Sequence, residues 1–520
     1  MSADAATTTL QRVFGHADFR GRQGEVVRRL LDTDGTRGGG ELPGTDRPPG
    51  ADRLPGTDRP PGAGHALVLA PTGAGKSVCY QVPALARPGT TLVLSPLIAL
   101  MQDQVRALRD RGVAATFINS SLGRAERERR VAAMADGAYR LVYVTPERFR
   151  SQPFVGAVAR ANVWLLAVDE AHCISEWGHD FRPDYSRLEE IRGRLGRPTT
   201  VALTATATAD VQRDIARQLG LTPGSGPDQL QTFHEGIDRP NLALDVDHVW
   251  GDDTKLDAIV GHASEIAEEN SGGGIVYFTL IKTLRDFGER LRERGVPHLR
   301  YHGDLDAKQR RSVQNAFMAN ETPVVLATNA FGMGIDKPDI RFVVHAELPG
   351  SLEAYYQEIG RAGRDGQPAT CTLLYDENDL TTQMRFVDWA NPDADFYQRV
   401  FALLDSESER IHAEGLDRLR HALHAKQGRH DRRLDTALGM LERHGVLGPD
   451  SSWRDEDHPR LDLVADLPDV LLNPAHTAAK LERDRRRLLA LVQYANHDGD
   501  RRAFLNDYFA PPGINRERSP

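Results

Sequence analysis

The sequence predicts an α/β protein of two successive parallel-sheet domains followed by a mainly helical C-terminal region. Three observations support this. Short strand-like runs, "HALVLAP", "TLVLSP", "RLVYVTP", "WLLAVDE" and "TVALTAT", recur over residues 65–206. Each is followed by a turn or a helix-like stretch such as "LIALMQDQVRALRDRG". Strands alternating with helical patterns form βαβ units, and near-continuous apolar strands are those buried on both faces of a parallel sheet. The rhythm restarts after residue 240 with "GGGIVYFT", "HLRYHG", "PVVLATN", "RFVVHAEL" and "TCTLLYD", which places a join near "EGIDRPNLAL" (235–244). From about residue 381 long amphipathic helices take over. In "RRLDTALGMLERHGVL", for instance, Leu434, Leu438 and Leu441 fall on one helical face.

The expected domains are therefore residues 1–235, 236–380 and 381–520. In the third, "LERHGVLGPD" has the helix–turn–strand ending of a winged helix, and a plain helical bundle fits it as well. Within the first, "LPGTDRPPGADR" (42–53) is followed at once by "LPGTDRPPGA" (54–63). Proline and glycine at that density build neither a helix nor a central strand, and two copies are too few for a stacked repeat array. Residues 32–64 read as a flexible surface insertion.

Composition narrows the class. With 520 residues and 40% hydrophobic content, the chain can form several buried cores. No run of apolar residues is long enough for a membrane span, and "MSADAATTTLQRVFGH" lacks the charged head and apolar core of a secretory leader. Cys79, Cys173 and Cys371 lie far apart with no CxxC pair, which fits a reducing cytoplasm and excludes a disulfide framework. The net charge of −9, from 65 basic and 74 acidic residues, argues mildly against a nucleic-acid partner but leaves room for a local basic groove.

The chemistry begins at "APTGAGKS" (70–77), which follows one predicted strand and precedes a predicted helix, the context of a phosphate-binding loop. Gly73 and Gly75 let backbone N–H groups curl around phosphates, and Thr72 lies in the same loop. Lys76 supplies charge at the β and γ positions, and the Ser77 hydroxyl can hold Mg²⁺. Ala70 replaces the glycine of the strict pattern, a change common in helicase-type loops. "WLLAVDEAH" ends a strand on two acids. Asp169 can reach a metal beside Ser77, and Glu170 can orient and deprotonate an attacking water. In "QEIGRAGRDG" (357–366), Arg361 and Arg364 are spaced to share a helical face and can stabilise charge on a transferring γ-phosphoryl. A pair of solvated arginines is the ordinary alternative. Beyond the acids, "CISEWGHDFRPDY" carries Trp177, His179, Phe181, Arg182 and Tyr185, too aromatic for an ordinary surface loop.

Taken in order over roughly residues 14–385, these motifs resemble those of RecQ-family helicases of superfamily two. "FRGRQ" (19–23) resembles the family's adenine-reading motif and implies nucleotide contacts from Arg20 and Gln23. "SPLIALMQDQV", "TPER" and "TATAT" resemble the motifs of the first lobe that touch DNA backbone or relay nucleotide state. "YHGDLD" and "ATNAFGMGIDKPDIRFVVH" resemble those of the second lobe, and "YYQEIGRAGRDG" its last motif, which implies nucleotide contacts from Gly334, Asp336 and Gln357. The resemblance implies two RecA-like lobes that use ATP and Mg²⁺. It implies 3′ to 5′ unwinding of DNA, service in repair or recombination, and contacts with single-stranded and duplex DNA and with single-strand-binding or repair proteins. A monomer is expected, in the cytoplasm and on the nucleoid if the source is bacterial. It also makes the stretch after Glu170 an aromatic-rich loop that senses single-stranded DNA. Trp177 and Phe181 would stack on bases, His179 and Arg182 would meet backbone or base edges, and His172 would relay between the two ligands. Burial of Trp177 and Phe181 as core anchors is the competing reading.

Past residue 385 the resemblance thins. Family members carry a four-cysteine zinc module there. This chain has "DRRAFLNDYF" with Asp500 at the expected cysteine position, and no cysteine after Cys371. A zinc-free region is expected, held by packing of Leu488, Leu489, Leu491, Val492, Phe504 and Leu505. An RNA helicase, a translocase that does not unwind, and a nucleotide-gated DNA-binding scaffold are the alternative functions.

Overall fold

The computed structural model describes residues 3–31, 64–175, 185, 187–226, 229–269, 272–332, 335, 337–423, 433–448, 451, 453 and 460–510. The described residues fall into two compact units. The first holds residues up to Pro240 together with Ile335 and residues 502–510; the second runs from Asn241 to Gly332 and from Lys337 to Arg501. The expected insertion at 32–64 lies outside the described residues, save Gly64.

In the first unit the strands are β1 (His65–Leu69), β2 (Thr90–Leu94), β3 (Ala115–Ile118), β4 (Leu141–Val144), β5 (Val163–Val168), β6 (Thr199–Thr204), β7 (Thr222–Pro223) and β8 (Gln229–His234). They form one sheet in the order β3-β4-β2-β5-β6-β1-β8-β7, with every pairing parallel. Every residue of β1, β2, β5 and β6 is buried, because helices cover both faces. Alternation along each strand divides the side chains between two cores. Leu67, Leu69, Leu166 and Val168 enter one, and Ala66, Val68, Leu165 and Ala167 the other.

The second unit has β9 (Leu242–His248), β10 (Gly273–Tyr277), β11 (Leu299–Tyr301), β12 (Val324–Ala327), β13 (Ile340–His345) and β14 (Ala369–Tyr375). These form a second parallel sheet, ordered β11-β12-β10-β13-β14-β9. A helical region follows. Leu434, Leu438 and Leu441 of helix Arg433–Arg443 are buried together with Phe396, Val400 and Leu404 of helix Ala394–Ser406. An antiparallel bridge, Leu447 to Leu463, comes after the first of these helices. Leu438 is fully buried, so Leu438→Ala is expected to destabilise this core by about 2–5 kcal/mol, read by denaturant unfolding.

Helix Pro474–Ala495 begins on Asn473, whose side chain accepts from the Ala475 N–H, with Pro474 at the first helical position. It buries Leu488, Leu491 and Tyr494, whereas Leu489 is 52% exposed and does not contribute to the packing expected of it. Leu489 lies next to two inward-facing positions, and a helix with one buried stripe turns such a neighbour outward.

Candidate nucleotide site

In a parallel sheet all strands end on one edge, and ligands sit beyond those carboxyl ends. Here β1 and β5 both flank β6, so the phosphate loop after β1 and the acids after β5 lie one strand apart, with "TATAT" emerging between them.

The loop has the backbone that its glycines predict. Gly73 has φ 86° and Gly75 φ 75°, values that L side chains adopt only under strain. The Lys76 ammonium donates to the carbonyls of Ala70 (3.0 Å) and Pro71 (3.1 Å), which holds it inside the loop. Ser77 immediately precedes helix Val78–Ala86. Gln23 is buried and donates through Nε2 to the carbonyls of Ala74 (2.9 Å) and Gly75 (3.2 Å), while its Oε1 accepts from the Arg20 N–H (3.1 Å). A Cβ on residue 75 would come within 3.1 Å of Gln23 Nε2, a tight contact that would press on that side chain.

Two residues that the sequence reading did not single out complete the surround. Arg239 donates to the Thr72 carbonyl (3.1 Å). Glu235 accepts from the Arg22 N–H (2.8 Å), and burial raises its carboxyl above the usual range while Arg22 and Lys76 oppose the rise. Both lie more than 150 residues from the loop in sequence, so no local pattern marks them. The only local clue was their place at the predicted join. The backbone at that place is held by Arg502, which donates to Asp238 (3.0 Å) and to the carbonyls of Arg239 (2.7 Å) and Pro240 (3.3 Å).

Asp169 donates its N–H to the Leu94 carbonyl (2.8 Å). Burial first, and then the neighbouring Glu170, push its carboxyl up to about 7, with Lys76 pulling the other way. That is the setting in which a cation is most welcome. Glu170 sits at φ 49°, ψ 49°, the left-handed region, at a cost of order 1–3 kcal/mol for a non-glycine residue. Its Oε2 is buried without a hydrogen-bond partner among the described residues and lies 3.5 Å from His172 Nδ1. The same His172 nitrogen is 3.0 Å from Thr204 Oγ1, which in turn donates to the Thr206 carbonyl. The His172 ring thus lies between Glu170 and Thr204 of "TATAT", hydrogen-bonded to the threonine. Three residues on, Ser175 Oγ donates to Asp214 (2.7 Å). Trp177, His179, Phe181 and Arg182 lie outside the described residues, and Tyr185 is buried.

In the second unit, helix Leu352–Ile359 carries Gln357, which is half-buried. The helix stops at Ile359, so Arg361 and Arg364 occupy the turn after it and do not share a helical face. Gly363 at φ 52° sets that turn, and its N–H donates to the Ile340 carbonyl (2.9 Å). Arg361 is buried and donates to the Gly332 carbonyl; Arg364 is half-exposed. Gly334 and Asp336 lie outside the described residues.

Among the described residues no cluster of three or more His, Cys, Asp or Glu side chains converges on a metal position. No described helix is long and apolar enough to cross a membrane.

Comparison with known proteins agrees with this geometry. The DEAD/DEAH box helicase model matches residues 61–215, and the helicase conserved C-terminal domain model matches residues 254–366. The ATP-dependent DNA helicase RecQ of Bacillus subtilis is 44% identical over 384 residues, covering 74% of this chain and 58% of that protein. The probable ATP-dependent DNA helicase RecS of the same organism is 39% identical over 405 residues, 77% of this chain and 73% of that protein. The RecQ of Haemophilus influenzae is 37% identical over 374 residues, 72% and 54% of the two chains. Saccharomyces cerevisiae Dbp5 bound to RNA and ADP BeF3 shares the fold with a TM-score of 0.52 at 16% identity, over 74% of this chain and 93% of that one. The DEAD-box helicase Mss116 bound to ssRNA and UDP-BeF does so at 0.52 and 14%, over 86% and 91%. Two RecA-like parallel-sheet domains with these motifs define a helicase of superfamily two. Within that class the chain belongs to the RecQ family. It spans little more than half the length of the two RecQ relatives, 58% and 54%.

Proposed function

We propose that this chain is an ATP-dependent DNA helicase that moves 3′ to 5′ along one strand, coupling ATP hydrolysis to translocation and duplex unwinding. The observation that carries the reading is the edge of the first sheet, where the Lys76 loop and the Asp169–Glu170 pair flank Thr204 and His172 lies between Glu170 and that threonine. The names of the relatives, ATP-dependent DNA helicases, supply the substrate. The proposed domains remain residues 1–235, 236–380 and an accessory region at 381–520.

In this reading the backbone N–H groups of 73–77 and Lys76 hold the phosphates, and Arg20 and Gln23 meet the base. Glu170 takes the proton from the attacking water. Arg361 and Arg364 answer the charge that spreads over the γ-phosphoryl oxygens. Ser77 and Asp169 would hold Mg²⁺, which would neutralise phosphate charge; the upward shift of Asp169 fits a carboxylate built to face a cation. Gln357, Gly334 and Asp336 would contact the nucleotide from the second lobe.

The aromatic loop supplies the coupling. Trp177 and Phe181 would stack on bases, a contact worth about 1–3 kcal/mol per base and tolerant of sequence. His179 and Arg182 would hold the backbone. Ala variants of Trp177 and Phe181 are expected to keep ATP affinity while stimulation of hydrolysis by single-stranded DNA falls tenfold or more, about 1.4 kcal/mol. Unchanged stimulation, measured by phosphate release against DNA concentration, would count against the loop. The C-terminal region is expected to hold no structural zinc, because such sites need four thiolate or imidazole ligands in tetrahedral reach. Elemental analysis should find well under one zinc per chain; a stoichiometric zinc that survives dialysis would contradict this. The reading as a whole is tested by ATP turnover with and without single-stranded DNA, where strong DNA dependence is expected and DNA-independent or absent turnover would reject it.

A further inference from the structure

The second unit contains a buried polar pair that the nucleotide chemistry above does not use. His345, the last residue of β13, meets Glu358, near the end of helix Leu352–Ile359, with Nε2 to Oε2 2.7 Å. The side chains are 1% and 12% exposed. A carboxylate oxygen accepts, so the imidazole Nε2–H donates to it. The other ring nitrogen, Nδ1, is buried with no hydrogen-bond partner among the described residues. Such a site is costly for packing alone, since apolar side chains at both positions would bury neither a carboxylate nor an unpaired nitrogen.

What surrounds the pair suggests its use. The His345 ring stacks on Tyr277 (centroids 5.3 Å, planes 24° apart) and packs against Tyr355 (5.0 Å), which meets Tyr494 oxygen to oxygen at 3.3 Å. The Tyr277 hydroxyl donates to the Phe331 carbonyl (2.8 Å), and Arg361 donates to the next carbonyl, that of Gly332. A Cβ on residue 332 would come within 2.6 Å of the Arg361 guanidinium and would displace it. Glu358 lies one turn before Arg361 on the backbone, and Gly363, two residues after it, is tied to Ile340 at the other end of the same strand. Strand β13 thus grips the arginine turn on both sides, at Gly363 through backbone and at Glu358 through His345.

We propose that His345 and Glu358 are positioning residues that fix the end of helix Leu352–Ile359, and through it the turn carrying Arg361 and Arg364, for ATP turnover. The proposal rests on the role given to those arginines above. Neither residue touches the nucleotide in this account; both act by holding the guanidinium-bearing turn in one geometry.

Two substitutions separate shape from hydrogen bonding. His345→Phe keeps a ring between Tyr277 and Tyr355 but has no N–H to give; His345→Gln loses the ring and keeps a donor of similar reach. Steady-state hydrolysis with saturating single-stranded DNA should show kcat lowered tenfold or more in His345→Phe, with KM for ATP within roughly threefold of the parent. His345→Gln should recover most of the lost kcat. A kcat in His345→Phe equal to the parent's, or an equal loss in both variants, overturns the proposal. Should His345→Phe fail to fold by circular dichroism, His345→Asn replaces it: one methylene shorter than glutamine, it falls short of Glu358, and equal turnover of the Asn and Gln variants overturns the proposal. Arg364→Ala, measured alongside, keeps the two readings apart. Retained turnover in that variant rejects the role of the arginines; lost turnover there with full turnover in the His345 variants rejects the positioning pair alone.

Discussion

Glu170→Gln should abolish ATP turnover while ATP still binds, and Lys76→Ala should abolish turnover and weaken ATP binding. The difference follows from where the two side chains lie. Lys76 is inside the loop, donating to Ala70 and Pro71, at the place where phosphate charge would meet it. Removing a charged hydrogen-bond donor costs about 1.5–3 kcal/mol, or roughly one to two decades in affinity. Glu170 stands instead at the end of β5 in a left-handed backbone conformation, with Oε2 buried and held only near His172. Glutamine fills the same space and cannot take a proton, so binding is kept and the chemical step is lost. General-base removal costs about 10²–10⁴-fold. Fluorescent-nucleotide titration and phosphate release read the two quantities separately, and turnover near the parent's in either variant would remove the assignment.

Arg364→Ala is expected to lower kcat by about 10³-fold or more, the scale of arginines that stabilise a transferring phosphoryl group. Arg364 is half-exposed on its turn, whereas Arg361 is buried with a donor committed to Gly332. Arg361→Ala should therefore lose turnover and also lower the melting temperature, and lower it further than Arg364→Ala does. Lysine at 364 should restore little, because an ammonium cannot present the planar, multiply donating face of a guanidinium. Thermal unfolding beside steady-state kinetics distinguishes the two arginines.

The central strands and the phosphate loop were legible because they obey local rules. Burial on both faces makes β1, β2, β5 and β6 continuous apolar runs, and a loop that wraps phosphate needs glycine where φ is positive. The strands without an apolar run, β3, β7, β8 and β9, lie at or near sheet edges. Strand β3 has four residues, β8 mixes Gln229 and Gln231 with two buried positions, and β9 carries Asp245 and Asp247 on an open face. An edge strand is half-solvated and loses the apolar signal. The spacing of Arg361 and Arg364 suggests a helix, whereas Gly360 and Gly363 in "GRAG" mark a chain leaving it. Leu489 was counted as core from its neighbours, and only the phase of helix Pro474–Ala495 shows that it faces out. Arg239, Glu235 and the His345–Glu358 pair depend on contacts between distant segments, which periodicity does not encode.

Strand separation on tailed duplexes tests the central claim most directly. Purified protein with ATP and Mg²⁺ should unwind a DNA duplex bearing a 3′ single-stranded tail, leave one with a 5′ tail intact, and fail on both when Glu170 is replaced by glutamine. Separation of RNA duplexes in preference to DNA, or robust DNA-stimulated hydrolysis with no strand separation on either tail, would contradict a DNA helicase of 3′ to 5′ polarity.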